Sequence, residues 1–582
     1  MNFFKLKIST LTLLIALLAI GVSCTKLEDV QDIDLYVDTD ILLTPLTLQI
    51  LDANNGGELP GDLKITALGK DKDKLYTQLG KKELVATIGD GDKTTAILPV
   101  SVRKINPPSL ENPIEFTLKI EAEGYLPMFK SYSLVTEDNT LDIVRLNRMA
   151  TPSEGVAFES SSFDSPTTGI EEEVTFAAEA RTGEGITAKI EPQTVLFNEA
   201  GDKLSGQVAV SLFQYDIHSN KGLNTLPGGL ESNNARGLNG EELGNLQFTP
   251  IGAITLDMTV NGEDVKTFSK PIEISYKISS ETVNPTTQEP YKEGDEVQVW
   301  SFNEKIGDWQ LEKTVKVTTD YDSGLQVKYL QPHLSTWIVG GGRGCGHGAN
   351  VTIISDIPYS APQRFYYSEL VDVDTDEILG EPKFFRYYNG ELIRFRRVSD
   401  HTVFIRVYDG TSEECRGALL GESDPFDLCS GNYTFDFSGV LNTDNIFTAN
   451  VNIRGVCSSD FNDLVILPTL AILYRETGCT TWSALGMLIS GHGSTSALEK
   501  GKTYDFRIPF GRGVDKCLLN FTIPSEDTQV LIDSPVYDFQ ETVDVVFTNN
   551  GKQVDLNYTS IQVPDLACQE YIDLYKHGRR GE

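Results

Sequence analysis

The tripeptide His333-Leu334-Ser335 sets a hydroxyl side chain directly after the Leu334 carbonyl, with an imidazole on its other side. The Ser335 hydroxyl could add to that carbonyl while His333 removes its proton. Hydrolysis of the resulting ester would then cut the chain between Leu334 and Ser335. This chemistry requires a strained peptide bond and an oriented base. The same residues also alternate along a strand leading to Trp337, which accounts for them without any reaction.

Asp372, Asp374 and Asp376, in VDVDTDEILGE, have the every-second-residue spacing of a calcium loop. A full loop of the EF-hand type needs glycine at its sixth position and glutamate at its twelfth. Those places hold Glu377 and Lys383, so the match fails and a turn explains the aspartates better. Cys345-Gly346-His347 offers two metal ligands without a second pair, which makes no site. The six histidines (218, 333, 347, 401, 492 and 577) form no HExxH arrangement. Nucleophile-elbow, phosphate-loop and dinucleotide signatures are also missing. No catalytic residue, metal or cofactor is expected, although 84 acidic residues leave room for dispersed carboxylates.

One basic stretch departs from an acidic background: KFFRYYNGELIRFRR, 383–397. Read as a hairpin about Asn389-Gly390, it sets Tyr387 opposite Leu392, Phe385 opposite Arg394 and Phe384 opposite Phe395. Both faces then carry aromatics, one of them exposed beside Arg386, Arg394, Arg396 or Arg397. Phe385, Arg386, Tyr387 and Arg394 are the candidate binding residues, suited to a sugar or an acidic partner. The competing expectation is an ordinary sheet whose arginine stems cover its aromatics.

The elements that must position these groups are strands. LTLQIL, FTLKIEAEGY, QVAVSLFQY, PIEISYKI, TVFIRVYDG, YTFDFSG and VDVVFTNNGKQVDL each alternate apolar with polar residues, as antiparallel sheets require. Asn239-Gly240, Asn261-Gly262, Asn389-Gly390, Asn550-Gly551 and Asp90-Gly91 mark hairpin turns. The fold class expected is all-β, a multi-domain string of antiparallel β-sandwiches.

At the amino terminus, Lys5 and Lys7 precede an uncharged apolar run from Leu11 to Val22, too short to span a bilayer comfortably. The run Leu464 to Leu473 contains Pro468 and meets Arg475, and is expected to be a buried strand. Net charge is −35, or −37 once Lys5 and Lys7 leave with a leader of 23 residues. Such a surface repels nucleic acid and favours solubility. Cysteines crowd the final third, at 345, 415, 429, 457, 479, 517 and 568. Seven is odd, so at least one is unpaired or intermolecular. Nearest-neighbour pairing suggests Cys415 with Cys429 and Cys457 with Cys479, though the spacings do not decide it.

At about 150 residues per domain, the chain has room for three to five domains. Its boundaries fall as a signal peptide (1–23), an acidic tether (24–38), units at 39–149 and 150–342, a Gly-rich linker (343–349), and immunoglobulin-like units at 350–445 and 446–582.

Gly21-Val22-Ser23-Cys24 resembles a lipobox, which implies cleavage before Cys24 and a diacylglycerol on its thiol. TKLEDVQDIDLYVDTD resembles the acidic export signal of Bacteroidota-type surface lipoproteins. A solvated tether explains the same residues. In 39–149, the Glu123-Gly124-Tyr125 turn followed by a strand resembles the transthyretin-like fold of carboxypeptidase regulatory-like domains. In 150–342, FNEAGDKLSGQVAVSLFQYD, LPGGL, FTPIGAITLDM and QPHLSTWIVGG resemble a module of cartilage intermediate layer protein, distantly like the sandwich pair of netrin receptors and ankyrins. Related eukaryotic modules self-cleave at a His-x-Ser step. Trp300, Trp309 and Trp337 fall on the tryptophan positions of that pattern and are expected in the core.

Together these readings imply a non-catalytic lipoprotein of the outer membrane, surface-exposed or periplasm-facing, that acts as scaffold or adhesin on a protein or glycan ligand. The alternatives are an accessory glycan- or peptide-binding lipoprotein for a TonB-dependent uptake system, and a module self-cleaving at Leu334-Ser335.

Overall fold

The computed structural model describes residues 36–573 apart from 39–40, 55, 90–91, 138, 281, 285–286, 288, 321–323, 344–348, 359–365, 374–375, 377, 380–382, 396–401, 411–414, 441–444, 510–513, 535–538, 564, 566–567 and 570–571. For 36–38, 343, 514–516, 532–534, 539–541, 543 and 559–562 only the backbone is described. The fold is all-β, a set of packed, mainly antiparallel sheets. No helix among the described residues is long and apolar enough to cross a membrane.

Turn chemistry and alternation act as expected in most places. Asn261 and Gly262 both adopt positive φ, the signature of a tight type I′ hairpin, and join Glu242–Val260 to Glu263–Asp264. In Gly206–Tyr215, Val208, Val210 and Leu212 enter one core while Phe213 and Tyr215 enter another on the opposite face. That second core holds Leu126 and Phe129 from the first unit with Trp300, Phe302 and Trp309 from the second. The first two units are therefore sealed by apolar packing, with Phe129 and Phe302 ring centroids 4.8 Å apart. Polar bonds fix the seam: Thr117 Oγ1 donates to the Gly307 carbonyl at 2.7 Å and Asn233 Nδ2 to the Tyr132 carbonyl at 2.7 Å.

The three expected core tryptophans are buried at 0 to 1% exposure. Trp309 donates its indole N–H to the Gly228 carbonyl at 3.3 Å. The N–H groups of Trp300 and Trp337 meet no acceptor among the described residues.

Unit borders read from sequence do not coincide with sheet borders. One eight-stranded sheet runs Ser483–Leu488, Leu470–Glu476, Thr503–Ile508, Val514–Thr522, Thr87–Gly89, Asp92–Arg103, Leu42–Asp52, Thr140–Leu146. Its seam is the parallel pairing of Val514 with Ile88 and Asp515 with Gly89. The first and last units thus share a sheet. This explains why Leu42–Asp52 is buried almost throughout. Leu46, Leu48 and Ile50 fill the first unit's own core, whereas Gln49 on the other face accepts the Trp482 backbone N–H at 2.7 Å. Ile97 packs against Leu473 and Trp482 on that same side. The apolar run at 464–473 forms two strands, Val465–Leu467 and Leu470–Glu476, broken at Pro468, which has no N–H to give a ladder. Tyr36–Asp38 pairs in parallel with Val465–Leu467.

The disulfides correct the nearest-neighbour pairing. Cys415 bonds Cys479, tying the third unit to the fourth, and Cys457 bonds Cys568. Cys429 is also in a disulfide, and Cys517 keeps its thiol. Sheet assembly, which brings Cα atoms to 5.9 Å in both pairs, sets the connectivity rather than chain distance.

A candidate binding face

The residues proposed from sequence do not converge. Ser335 is 5% exposed and donates its hydroxyl to the Phe302 carbonyl at 2.5 Å, so its hydrogen is not aimed at Leu334. His333 Nε2 lies 3.5 Å from Glu312 Oε1, and its Nδ1 is 3.4 Å from the Leu334 carbonyl oxygen. Glu312 in turn accepts the Ser301 hydroxyl at 2.7 Å. These two hydrogen bonds, that with His333 foremost, hold its carboxyl below the usual range despite burial.

The stretch around Asn389-Gly390 is not a paired hairpin, which corrects the sequence expectation. Lys383–Phe385 pairs with Tyr366–Asp372, and Leu392–Arg394 pairs with Asn350–Ile354 in a different sheet. The turn joins strands of two different sheets, and Phe385, Tyr387 and Phe395 pack into the core they share. Tyr387 is 1% exposed and shares a hydrogen bond of 2.8 Å with the Ser368 hydroxyl; Phe385 packs edge-on to Phe395. Arg386 and Arg394 stay at the surface. No aromatic platform results from these four residues.

Asp372 is buried, while Asp376 adopts positive φ and pairs its carboxylate with Arg406 at 2.7 Å. Asp374 lies outside the described residues, as do Cys24, Cys345 and His347. Among the described residues no cluster of three or more His, Cys, Asp or Glu could hold a metal ion.

A different surface has the makings of a site. The strand Thr448–Val456, TANVNIRGV, lies between His492–Thr495 on one side and Gln553–Gln562 on the other. Alternation turns Ala449 into the core with Val554 and Leu556, and sends Asn450, Asn452 and Arg454 outward. Register then builds rows across three strands: Ser494, Asn450, Asp555, and beside them His492, Asn452, Asn557. A shallow depression of about 590 Å³ opens over them.

The His492 strand reaches this position through a tight turn. Ser490 and Gly491 both adopt positive φ, and Ile489 and His492 exchange backbone hydrogen bonds of 2.7 and 2.9 Å. A side chain on Gly491 would meet the Ile453 carbonyl oxygen at 2.3 Å, so only glycine lets the turn close against the central strand.

Within the face, Asn450 Nδ2 donates to Asp555 Oδ1 at 2.7 Å, and Gln553 Nε2 donates to the same oxygen at 3.1 Å. These bonds, Asn450 first, hold the Asp555 carboxyl below its ordinary value. Asn452 Nδ2 donates to Asn557 Oδ1 at 3.3 Å. Asn452 Oδ1 and Arg454 Nε are both shut away from bulk solvent without a partner among the described residues. Such groups cost free energy until something pairs with them. The sequence did carry a signal for this face: NVNIR and QVDLN put amides at four of the six outer positions of two strands, beside Arg454 and Asp555.

No family model matches the chain, and no curated protein matches it. Among solved structures, a variant of BcpA, the major pilin subunit of Bacillus cereus, is similar at 10% identity and TM-score 0.14, over 67% of this chain and 98% of that one. A Streptococcal ancillary pilin is similar at 10% identity and TM-score 0.10, over 47% and 95%. The Bacillus anthracis TIE protein is similar at 8% identity and TM-score 0.12, over 71% and 58%. Likeness this distant transfers neither fold nor function.

Proposed function

We propose that this protein is a non-catalytic scaffold or adhesin of the cell surface, tethered to the outer membrane by a lipid on Cys24, that works by holding a ligand. The observation that carries the reading is the amphipathic sheet at 448–456, 492–495 and 553–562: its inner face is core and its outer face presents the amides of Asn450, Asn452 and Asn557 with Ser494, His492 and Asp555. Interlocked sheets and a disulfide between units give that face a rigid mount.

Protease shaving of intact cells, followed by mass spectrometry, tests the location. Loss of this protein's peptides is expected, together with an acylated Cys24 at the mature amino terminus. Full protection, or an unmodified Cys24, would defeat the surface reading. The same polar face also suits an accessory binding lipoprotein for a TonB-dependent uptake system, which slower growth of a deletion strain on one glycan would single out.

A further inference from the structure

We infer that the face built by Asn450, Asn452, Asp555 and Asn557 is a binding site for a neutral oligosaccharide, gripped through its hydroxyl edges. The inference rests on the binding reading above and names the ligand class.

The central strand is paired on both sides, so its backbone N–H and C=O groups are committed to the sheet. A peptide strand therefore cannot pair with the central strand that carries Asn450 and Asn452. What faces outward is a set of side chains that donate and accept at once: Asn452 and Asn557 amides, the Ser494 hydroxyl and the His492 ring. A sugar hydroxyl has the same dual character, so each contact can be satisfied in both directions. The buried Asn452 Oδ1 wants a donor, and a hydroxyl supplies one. Asp555 is already oriented by two amide donors and presents its remaining lone pairs to further O–H groups.

Charge argues for a neutral ligand. Asp555 stands in one row of the face and the whole chain carries −35, so a uronate or sialate would meet repulsion. Spacing also fits. Neighbouring strands lie about 4.8 Å apart, close to the advance of an extended glycan per ring. A chain crossing the three strands could set one ring over each. With no phenylalanine, tyrosine or tryptophan among the residues lining the depression, recognition runs through hydrogen bonds at ring edges rather than a stacking platform.

The test uses the full purified chain in detergent on a microarray carrying neutral, uronic-acid and sialylated oligosaccharides, with positives titrated by calorimetry. Binding confined to neutral oligosaccharides is expected. Asn452→Ala should weaken it at least tenfold. Asn557→Ala and Ser494→Ala should each weaken it as well, and because both residues are exposed their truncation leaves the core intact, as an unchanged unfolding temperature would verify. Binding only to acidic oligosaccharides, binding unaltered in all three variants, or no retention of any glycan would each overturn the inference. A shaved, acylated protein that retains no glycan would leave the surface reading standing and remove this one alone.

Discussion

Arg475 Nη1 lies 3.0 Å from Asp92 Oδ2 across 383 residues of chain, and the two side chains are 11% and 4% exposed. Arg475 Nε also reaches Asp505 Oδ2 at 3.0 Å, and its guanidinium sits 4.3 Å from the Trp482 ring centre. Trp482 donates its indole N–H to Asp92 at 3.0 Å. Arg507, 1% exposed, donates to the Thr95 and Thr87 carbonyls at 3.1 and 2.6 Å. These groups form a buried polar clasp between the first and last units.

Breaking that clasp from one side strands a charge. Arg475→Ala leaves Asp92 and Asp505 without their cation and should destabilise the protein by about 3–5 kcal/mol. Guanidinium unfolding followed by fluorescence of the buried tryptophans checks it. A loss under 1 kcal/mol would show that the clasp contributes little.

The cysteine pairing is directly measurable. Non-reducing proteolysis and mass spectrometry should recover Cys415 linked to Cys479 and Cys457 linked to Cys568. Replacing Cys415 with Ser should cost roughly 2–4 kcal/mol, because it frees a long loop in the unfolded chain. Recovery of a Cys415–Cys429 peptide instead would contradict the arrangement.

His218 supplies a modest pH dependence. Its Nε2 lies 3.2 Å from Glu184 Oε1, and this hydrogen bond, against some desolvation, raises its pKa above the ordinary histidine value. Asp216 adds to the rise, and Arg181 opposes it. A raised folded-state pKa gives stability that is fully present below the unfolded value of about 6.5 and is lost as pH rises through the folded one. The ring is 35% exposed, so solvent screening keeps the effect under about 1 kcal/mol. Unfolding temperatures from pH 5 to 9 should fall slightly across this window, and His218→Asn should remove that part of the slope.

Ser335 gives a prediction about chain integrity. With its hydroxyl donated to Phe302, the purified protein should run as one full-length band after days at neutral pH. Ser335→Ala should cost about 1 kcal/mol through the lost hydrogen bond and leave the band pattern unchanged. Fragments meeting at Leu334-Ser335 that vanish in the variant would revive self-cleavage.

What the sequence made legible was local. Alternation located the strands, and Asn261-Gly262 specified its hairpin because two positive φ values leave few other residues able to serve. Non-local pairing was not legible. Thr47 and Gln49 look like the wet side of LTLQIL, yet both are 0% exposed, since a partner 433 residues away covers Gln49. The Asn389-Gly390 turn read as a hairpin because dipeptide chemistry reports the turn but not which sheet receives the next strand. Asn450 and Asp555 stand 105 residues apart, so their row exists only once the sheet is assembled.

The three-residue pairing of Tyr36–Asp38 with Val465–Leu467 bears on mechanics. A pull arriving through the amino-terminal segment is shared at once between the strand beginning at Leu42 and Val465–Leu467 of the last unit. Traction therefore reaches the first and last units together, and the units between them lie within a closed loop of chain instead of in series with the pull.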